Sequence, residues 1–297
     1  MLVLKLEYSE DIDFIIELRK LKSILKDKKI NIGFVESIDH KTHIIKILCD
    51  DSSYDDRIKN IINLYVSNIL YRVIIDKYKN KELLEYLTNN YFFLKQSEIL
   101  ELEKKIEKVL KCESIIPDEN SVSYLNQINY IIEQIRECIS ERQEININGF
   151  ITFRMKNFRN NIENIIESII ETYMARKEYE EFIKLLRYFV EMQVSTIEEV
   201  NIVISETNVY NIEDERGNNL YYKFIKELSE NEKRSSDNIE DILITGLITN
   251  SPKEINIYDK YKKINEELLN TIKSVFVDRV NYFTDSTKEK KNVDIKK

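Results

Sequence analysis

His40 and His43 are the two histidines of the chain, and with Asp39 they form the run Asp-His-Lys-Thr-His. Imidazoles three residues apart beside a carboxylate can hold a divalent metal when further ligands close the set. Such pairs usually project from a helix, and this run falls where two alternating apolar segments meet, at a hairpin turn. No Cys, Asp or Glu completes a ligand set around it, so the spacing predicts a surface turn and no metal. Catalysis of the Ser–His–Asp or Cys–His type would have to recruit one of these two side chains, and the sequence contains no nucleophile elbow. Acidic pairs such as Glu180–Glu181 and Glu198–Glu199 lack a general acid–base partner and read as solvated faces. No catalytic residue is assigned.

Cations offer a second chemistry. Arg154, Lys156 and Arg159 are interleaved with Phe150, Phe153 and Phe158. Guanidinium and ammonium groups grip phosphates while aromatic rings stack bases, so the run could meet an anion. The simpler reading packs the phenylalanines in a core and leaves the cations on the solvated side of a helix start. Cations in a first helical turn oppose the helix dipole by ~0.3–1 kcal/mol, which points towards an anionic partner. Further on, Lys184, Arg187 and Tyr188 lie together. Arg187 can hold a carboxylate or phosphate in bidentate fashion, or pair with Glu191, its i+4 neighbour. Asp278 and Arg279 form another polar pair at the mouth of the last strand. Arg154, Lys156, Arg159, Arg187 and Arg279 are thus the candidate anion-binding set, with internal pairing or solvated surface as the plainer role of each.

Composition narrows the partners. A formal charge of −8 argues against a dedicated nucleic-acid binder, because phosphate neutralisation needs clustered Lys and Arg. The four glycines, Gly33, Gly149, Gly217 and Gly246, are isolated. A P-loop or dinucleotide fingerprint needs several glycines within a few residues so that backbone N–H groups reach the phosphates. No cofactor is implied, and a small-molecule ligand remains open. Cys49, Cys112 and Cys138 are three thiols at wide spacing, which fits neither a zinc site nor a paired disulfide framework. No apolar run approaches the ~20 residues that cross a bilayer, so membrane insertion is not expected. The start of the chain turns acidic at once and lacks the pattern of a signal peptide. A cytoplasmic protein is the expectation.

Behind these residues stand the elements that must position them. Leu2, Leu4, Leu6 and Tyr8 alternate as a strand does, Ser9 is placed to cap a helix bearing Phe14, Leu18, Leu21 and Leu25, and two further strands follow. Residues 1–53 therefore read as a small β-α-β-β unit. Residues 54–144 are helical, with stripes from Ile58 to Val73, from Ile99 to Val109 and from Tyr124 to Ile139, and a loop at Pro117. Residues 145–284 begin with a long apolar-striped segment. Phe158, Ile162, Ile165, Ile169 and Tyr173 form one stripe; Tyr179, Phe182, Leu186 and Val190 form the next, rotated by roughly a quarter-turn. That rotation predicts a break near Ala175–Glu178. Glu180 and Lys184 have the spacing of an i,i+4 pair. A hairpin at Val200–Ile204 and Val209–Ile212 follows, then a turn at Asp214–Gly217. Asp237 and Glu240 read as a capping box for a short helix around Leu243 and Leu247. A strand at Glu254–Tyr258, a helix and a strand at Arg279–Phe283 then imply a parallel crossover. Residues 285–297 read as a disordered tail. The fold class is α+β: helix-rich, with the N-terminal unit, central helices, and a C-terminal mixed sheet with a β-α-β crossover.

The segments GFITFR and EYEEFIKLLRYFV, at the ends of the stretch Gly149–Gln193, resemble the YtxC-like family of endospore-forming bacteria. The resemblance continues more loosely through Val200–Ile212 and through LITGLITNSPKEINIYDKYKKINEELLNTIKSVFVDRV. It implies an association with sporulation and carries no reaction and no active-site residues. A protein acting through contacts with other proteins, without catalysis, is the leading expectation. Binding of a phosphorylated small molecule near Arg154, Arg187 and Arg279, or of nucleic acid on the Phe153–Arg159 surface, are the alternatives.

Overall fold

Alternation writes the first sheet. Leu4, Leu6 and Tyr8 point inward from β1 (Leu2–Ser9), and Ile45, Ile47 and Cys49 do so from β3 (Thr42–Cys49). β2 (Ile32–Asp39) pairs with β3 through a turn where His40 adopts φ 55°. Helix α1 (Phe14–Asp27) buries Phe14, Leu18, Leu21 and Leu25, spaced four, three and four, as one helical face requires. These coordinates come from a computed structural model that describes residues 1–9, 14–27, 30–50, 54–113, 121–227 and 239–284. The chain divides into two units, Met1–Tyr173 and Met174–Lys297.

In the first unit a fourth strand, β4 (Glu144–Asn146), lies parallel to β1 and completes the order β2-β3-β1-β4. Ser9 ends β1, and the residues that follow it, where the expected cap of α1 would act, fall outside the described residues. The Ser9 N–H donates to Asn148 Oδ1 at 2.9 Å, and its hydroxyl accepts from Asn148 Nδ2 at 2.8 Å. The end of β1 is thereby tied to the start of α6 (Ile147–Met192).

The central helices are α2 (Asp56–Tyr78), α3 (Leu84–Asn90), α4 (Gln96–Leu110) and α5 (Ser121–Ser140). Asp55 caps α2 by accepting from the Ile58 N–H at 2.7 Å. A π-helical turn, Lys79–Leu83, joins α2 to α3. Ile62, Val66, Leu70 and Ile74 line the inner face of α2, which packs on α5. The Pro117 loop falls outside the described residues.

Glu107 on α4 binds Lys79 at 2.6 Å and Lys111 at 2.9 Å, and those two hydrogen-bonded cations hold its carboxyl below the ordinary carboxylate value. The contribution is therefore full above that ordinary value and is lost as pH falls through the lowered folded value. Glu107→Gln should cost about 0.5–1 kcal/mol at neutral pH. Urea titrations at decreasing pH should show the variant and the parent converging in acid.

α6 is helical throughout Ile147–Met192, which corrects the expected break near Ala175–Glu178. The segment contains Ala, Arg, Lys and Glu, all good helix formers, with no Gly or Pro. Ile151, Phe158, Ile162, Ile165 and Ile169 are buried in the first unit; Ile183 and Val190 are buried in the second. The change of stripe marks a change of unit rather than the end of a helix.

The second unit carries β5 (Glu199–Ile204), β6 (Tyr210–Asp214), α7 (Tyr221–Glu227), α8 (Ile239–Asn250), β7 (Glu254–Tyr258), α9 (Glu266–Phe276) and β8 (Val280–Phe283). Its sheet order is β6-β5-β7-β8, with β5–β6 antiparallel and β5–β7 and β7–β8 parallel. That is the mixed sheet and the β-α-β arrangement expected. Val200, Ile202, Ile255 and Ile257 face a core filled by Phe224, Leu243, Leu247, Ile272 and Phe276. Asp214 accepts from the N–H groups of Arg216 and Asn218 at 2.9 and 2.8 Å, folding the turn that leaves Gly217 at φ 80°. Of the expected capping box, Asp237 falls outside the described residues. Glu240 accepts from Asn265 Nδ2 at 3.2 Å and from the Tyr210 hydroxyl at 3.4 Å.

Candidate functional site

The five candidate cations are divided between the two units. Arg154, Lys156 and Arg159 belong to the first unit; Arg187 and Arg279 belong to the second. Arg159 pairs with Glu82 at 2.7 Å, and Glu82 is presented by the π-helical turn. Lys156 is exposed on α6. Arg154 lines a hollow of about 520 Å³ together with Arg142, Phe150, Phe153 and Asn157. Neither Arg142 nor Arg154 has an ion-pair partner among the described residues, but Glu141 and Glu144 line the same hollow, so its lining carries two charges of each sign. The three phenylalanines do not share a core: Phe158 is buried, Phe150 half-buried and Phe153 exposed. In the lining of the hollow the Asn146 side chain accepts the Gly149 N–H at 2.8 Å, in the manner of an N-cap.

Arg187 and Arg279 both answer backbone carbonyls. Arg187 donates through two nitrogens to the Ser274 carbonyl, at 2.7 and 3.2 Å, in the last turn of α9. The expected pairing with Glu191 is replaced by this contact, because a helix C-terminus offers unsatisfied carbonyls and a negative dipole end. Arg279 donates to the Ser251 hydroxyl at 3.1 Å and to the Pro252 carbonyl at 3.2 Å, rather than pairing with Asp278. The Ser251 hydroxyl in turn donates to the Val190 carbonyl at 2.8 Å, near the end of α6. Arg187→Met keeps the apolar stem and removes the two bonds. It should lower the stability of the second unit by about 1.5–3 kcal/mol, readable as a drop in the urea midpoint with the slope preserved.

The histidines serve the hairpin. His40 Nδ1 lies 2.7 Å from Asp39 Oδ1 at the exposed turn. His43 lies 3.1 Å from Glu36 Oε1 and stacks on Tyr8 with ring centroids 5.0 Å apart. Among the described residues no group of three or more His, Cys, Asp or Glu is arranged to hold a metal ion. Cys49, Cys112 and Cys138 are free thiols. No helix among the described residues is long and apolar enough to cross a membrane.

The surface that stands out was not anticipated by the spacing argument. In the second unit α6 buries Ile183 and Val190 and half-buries Leu186, while Tyr179 and Phe182, expected inside, are exposed. Tyr179 is held by a 2.9 Å bond between its hydroxyl and that of Thr271. Around the helix from the buried face lie Phe182, Leu185, Tyr188, Phe189 and Met192, followed by Val194 beyond the helix end. These six are 51–86% exposed. At 100° per residue the five on the helix occupy one continuous arc of about 120°, roughly opposite the buried face. A helix anchored on one side usually turns charge outward; this one turns out a second apolar face. Arg176–Glu180, at 3.0 Å, replaces the expected Glu180–Lys184 pair on the polar strip between the two. The signal was present in FIKLLRYFVEM, whose apolar residues are too many for one face.

Comparison with known proteins adds a lineage to this geometry. The model of the YtxC-like family matches residues 64–281. An uncharacterized protein YtxC of Bacillus subtilis (strain 168) is 23% identical over 225 residues, covering 74% of this chain and 76% of that protein. No solved structure matches the chain.

Proposed function

From the premise that the chain belongs to the YtxC-like family, we propose that it is a non-catalytic protein acting through protein contacts during sporulation, in the cytoplasm of an endospore-forming bacterium. The observation that supports this reading is the exposed apolar arc of α6 from Phe182 to Met192. Contiguous apolar surface of this kind on a soluble fold marks an interaction site. The sporulation setting comes from what the family resemblance implies, and the free thiols fit a reducing compartment. Tagged protein recovered from sporulating cells should bring down a defined protein, its own untagged copy included, and Leu185→Glu should abolish that recovery. A purified chain that turned over a phosphoester, nucleotide or peptide, at a rate abolished by one point substitution, would defeat the proposal.

A second reading rests on the hollow between Arg142 and Arg154. Two guanidiniums without ion-pair partners among the described residues, beside Phe150 and Phe153, suit a phosphorylated ligand with an aromatic base. Nucleotides and short oligonucleotides at low ionic strength should then raise the thermal midpoint of the parent and not of Arg154→Ala. No shift with any of them would remove this reading.

A further inference from the structure

We infer that the partner of the outer face of α6 is a second copy of the same chain, paired antiparallel about a two-fold axis near Arg187–Tyr188. The inference rests on the protein-contact reading and names its partner. Three observations carry it.

Spacing comes first. Phe182, Leu185, Phe189 and Met192 follow one another at three, four and three residues. That is the a/d pattern of a two-helix seam, in which each side chain enters a gap between residues of the facing helix. The seam is as long as the exposed arc, so both helices can present the same patch, as a two-fold interface demands.

Area comes second. At roughly 200 Å² for a large side chain at full exposure, the six exposed residues offer on the order of 700 Å² of apolar surface. A stable dimer needs about 800 Å² per partner. The exposed residues alone approach that size.

Charge selects the direction. Glu178 and Glu181 lie at the N-terminal end of the arc, whereas Gln193, Ser195 and Thr196 follow its C-terminal end. A parallel in-register pair would set Glu178 and Glu181 against their own copies, a like-charge contact that weakens association. The antiparallel pair sets Phe182 against Met192 of the second copy and Leu185 against Phe189 of the second copy. Glu178 and Glu181 then face the uncharged 193–196 segment, and Tyr188 meets its own copy beside the axis.

Sedimentation velocity on the full chain should give a dimer with a Kd in the micromolar range or tighter. Leu185→Glu, at an exposed position where the fold does not depend on leucine, should weaken it by about a hundredfold or more, as a charge buried at the centre of a seam does. With Cys112 and Cys138 replaced by Ser, Phe182→Cys mixed with Met192→Cys should cross-link under mild oxidation, while Phe182→Cys alone should not. A wild-type monomer up to about 100 μM, far above that range, overturns the inference, as does a dimer indifferent to Leu185→Glu or a cross-link of Phe182→Cys to itself. A monomer that still captures a different protein, lost with Leu185→Glu, would sink self-pairing while leaving the contact reading in place. Loss of neither self-association nor capture in Leu185→Glu would sink both.

Discussion

Gly246→Ala should destabilise the second unit by about 2 kcal/mol, although helix propensity alone predicts a gain of roughly 1 kcal/mol for replacing a mid-helix glycine. The reason is Phe224. A Cβ at position 246 would stand 2.1 Å from Cδ2 and Cγ of that ring, and Phe224 is fully buried. Cγ cannot move away without its whole side chain, and the core around it leaves no room. Overpacking of this kind costs ~1–3 kcal/mol beyond any propensity term. The glycine is thus a notch in α8 into which α7 presses its ring. Gly246→Val should be worse, since a branched side chain adds bulk at the same point. Phe224→Leu costs stability alone by leaving a void, yet combined with Gly246→Ala it should recover part of the loss. Urea unfolding of the two singles and the double should show a coupling of at least about 1 kcal/mol. Additive losses would mean that the ring and the notch do not meet.

Asp259→Ala should be the costlier change, about 3–5 kcal/mol. The Asp259 side chain is completely buried at the end of β7. Its oxygens accept from the Lys263 N–H at 2.8 Å, the Ile264 N–H at 3.1 Å and the Tyr282 hydroxyl at 3.1 Å. Truncation removes one acceptor group and strands three donors, each worth ~1–3 kcal/mol when buried without a partner. The bonds from the Lys263 N–H and the Tyr282 hydroxyl are only partly buried, which keeps the total below the full sum. These bonds fold the connection that leads into α9, where Lys262 takes φ 52° and Asn265 caps the helix by accepting the Glu267 N–H at 2.9 Å. Burial, helped by Asp259, raises the Tyr282 hydroxyl above its ordinary value, so it stays a donor across neutral pH. Tyr282→Phe should therefore lose only one bond, about 1 kcal/mol. Asp259→Asn keeps an acceptor and should fall between the two. A denaturation midpoint for Asp259→Ala within error of the parent would refute the assignment.

Local periodicity made most of the fold readable. Leu4, Leu6 and Tyr8 alternate and line a sheet; Phe14, Leu18, Leu21 and Leu25 recur at helical spacing and line a core. The β7-α9-β8 crossover followed from the same two periods. What escaped were features set by distant chain. β4 is three residues long, too short to show a period, and exists because β1 offers an open edge. The continuity of α6 escaped because a rotated stripe looks the same whether a helix ends or passes from one core to another. For Arg187 and Arg279 the sequence suggests acidic partners, Glu191 and Asp278, because their actual acceptors include carbonyls, which every residue carries and no sequence pattern marks. The outer face of α6 is legible in composition, but the stripe Tyr179, Phe182, Leu186 and Val190 leaves Leu185, Phe189 and Met192 without a place.

The β1–β4 pairing also sets a schedule during synthesis. Lys5 and Glu144, bonded across it at 3.3 Å, are 139 residues apart. The β2–β3 hairpin can close within microseconds, but a ribosome adding ~5–20 residues per second needs roughly ten to thirty seconds to deliver β4. Throughout that interval β1 presents bare N–H and C=O groups to other nascent chains. Lys5, which also reaches Glu7 at 3.0 Å, stands on that strand; a lysine there discourages foreign strands from docking. Lys5→Val would leave the finished sheet nearly unchanged and tax its manufacture instead.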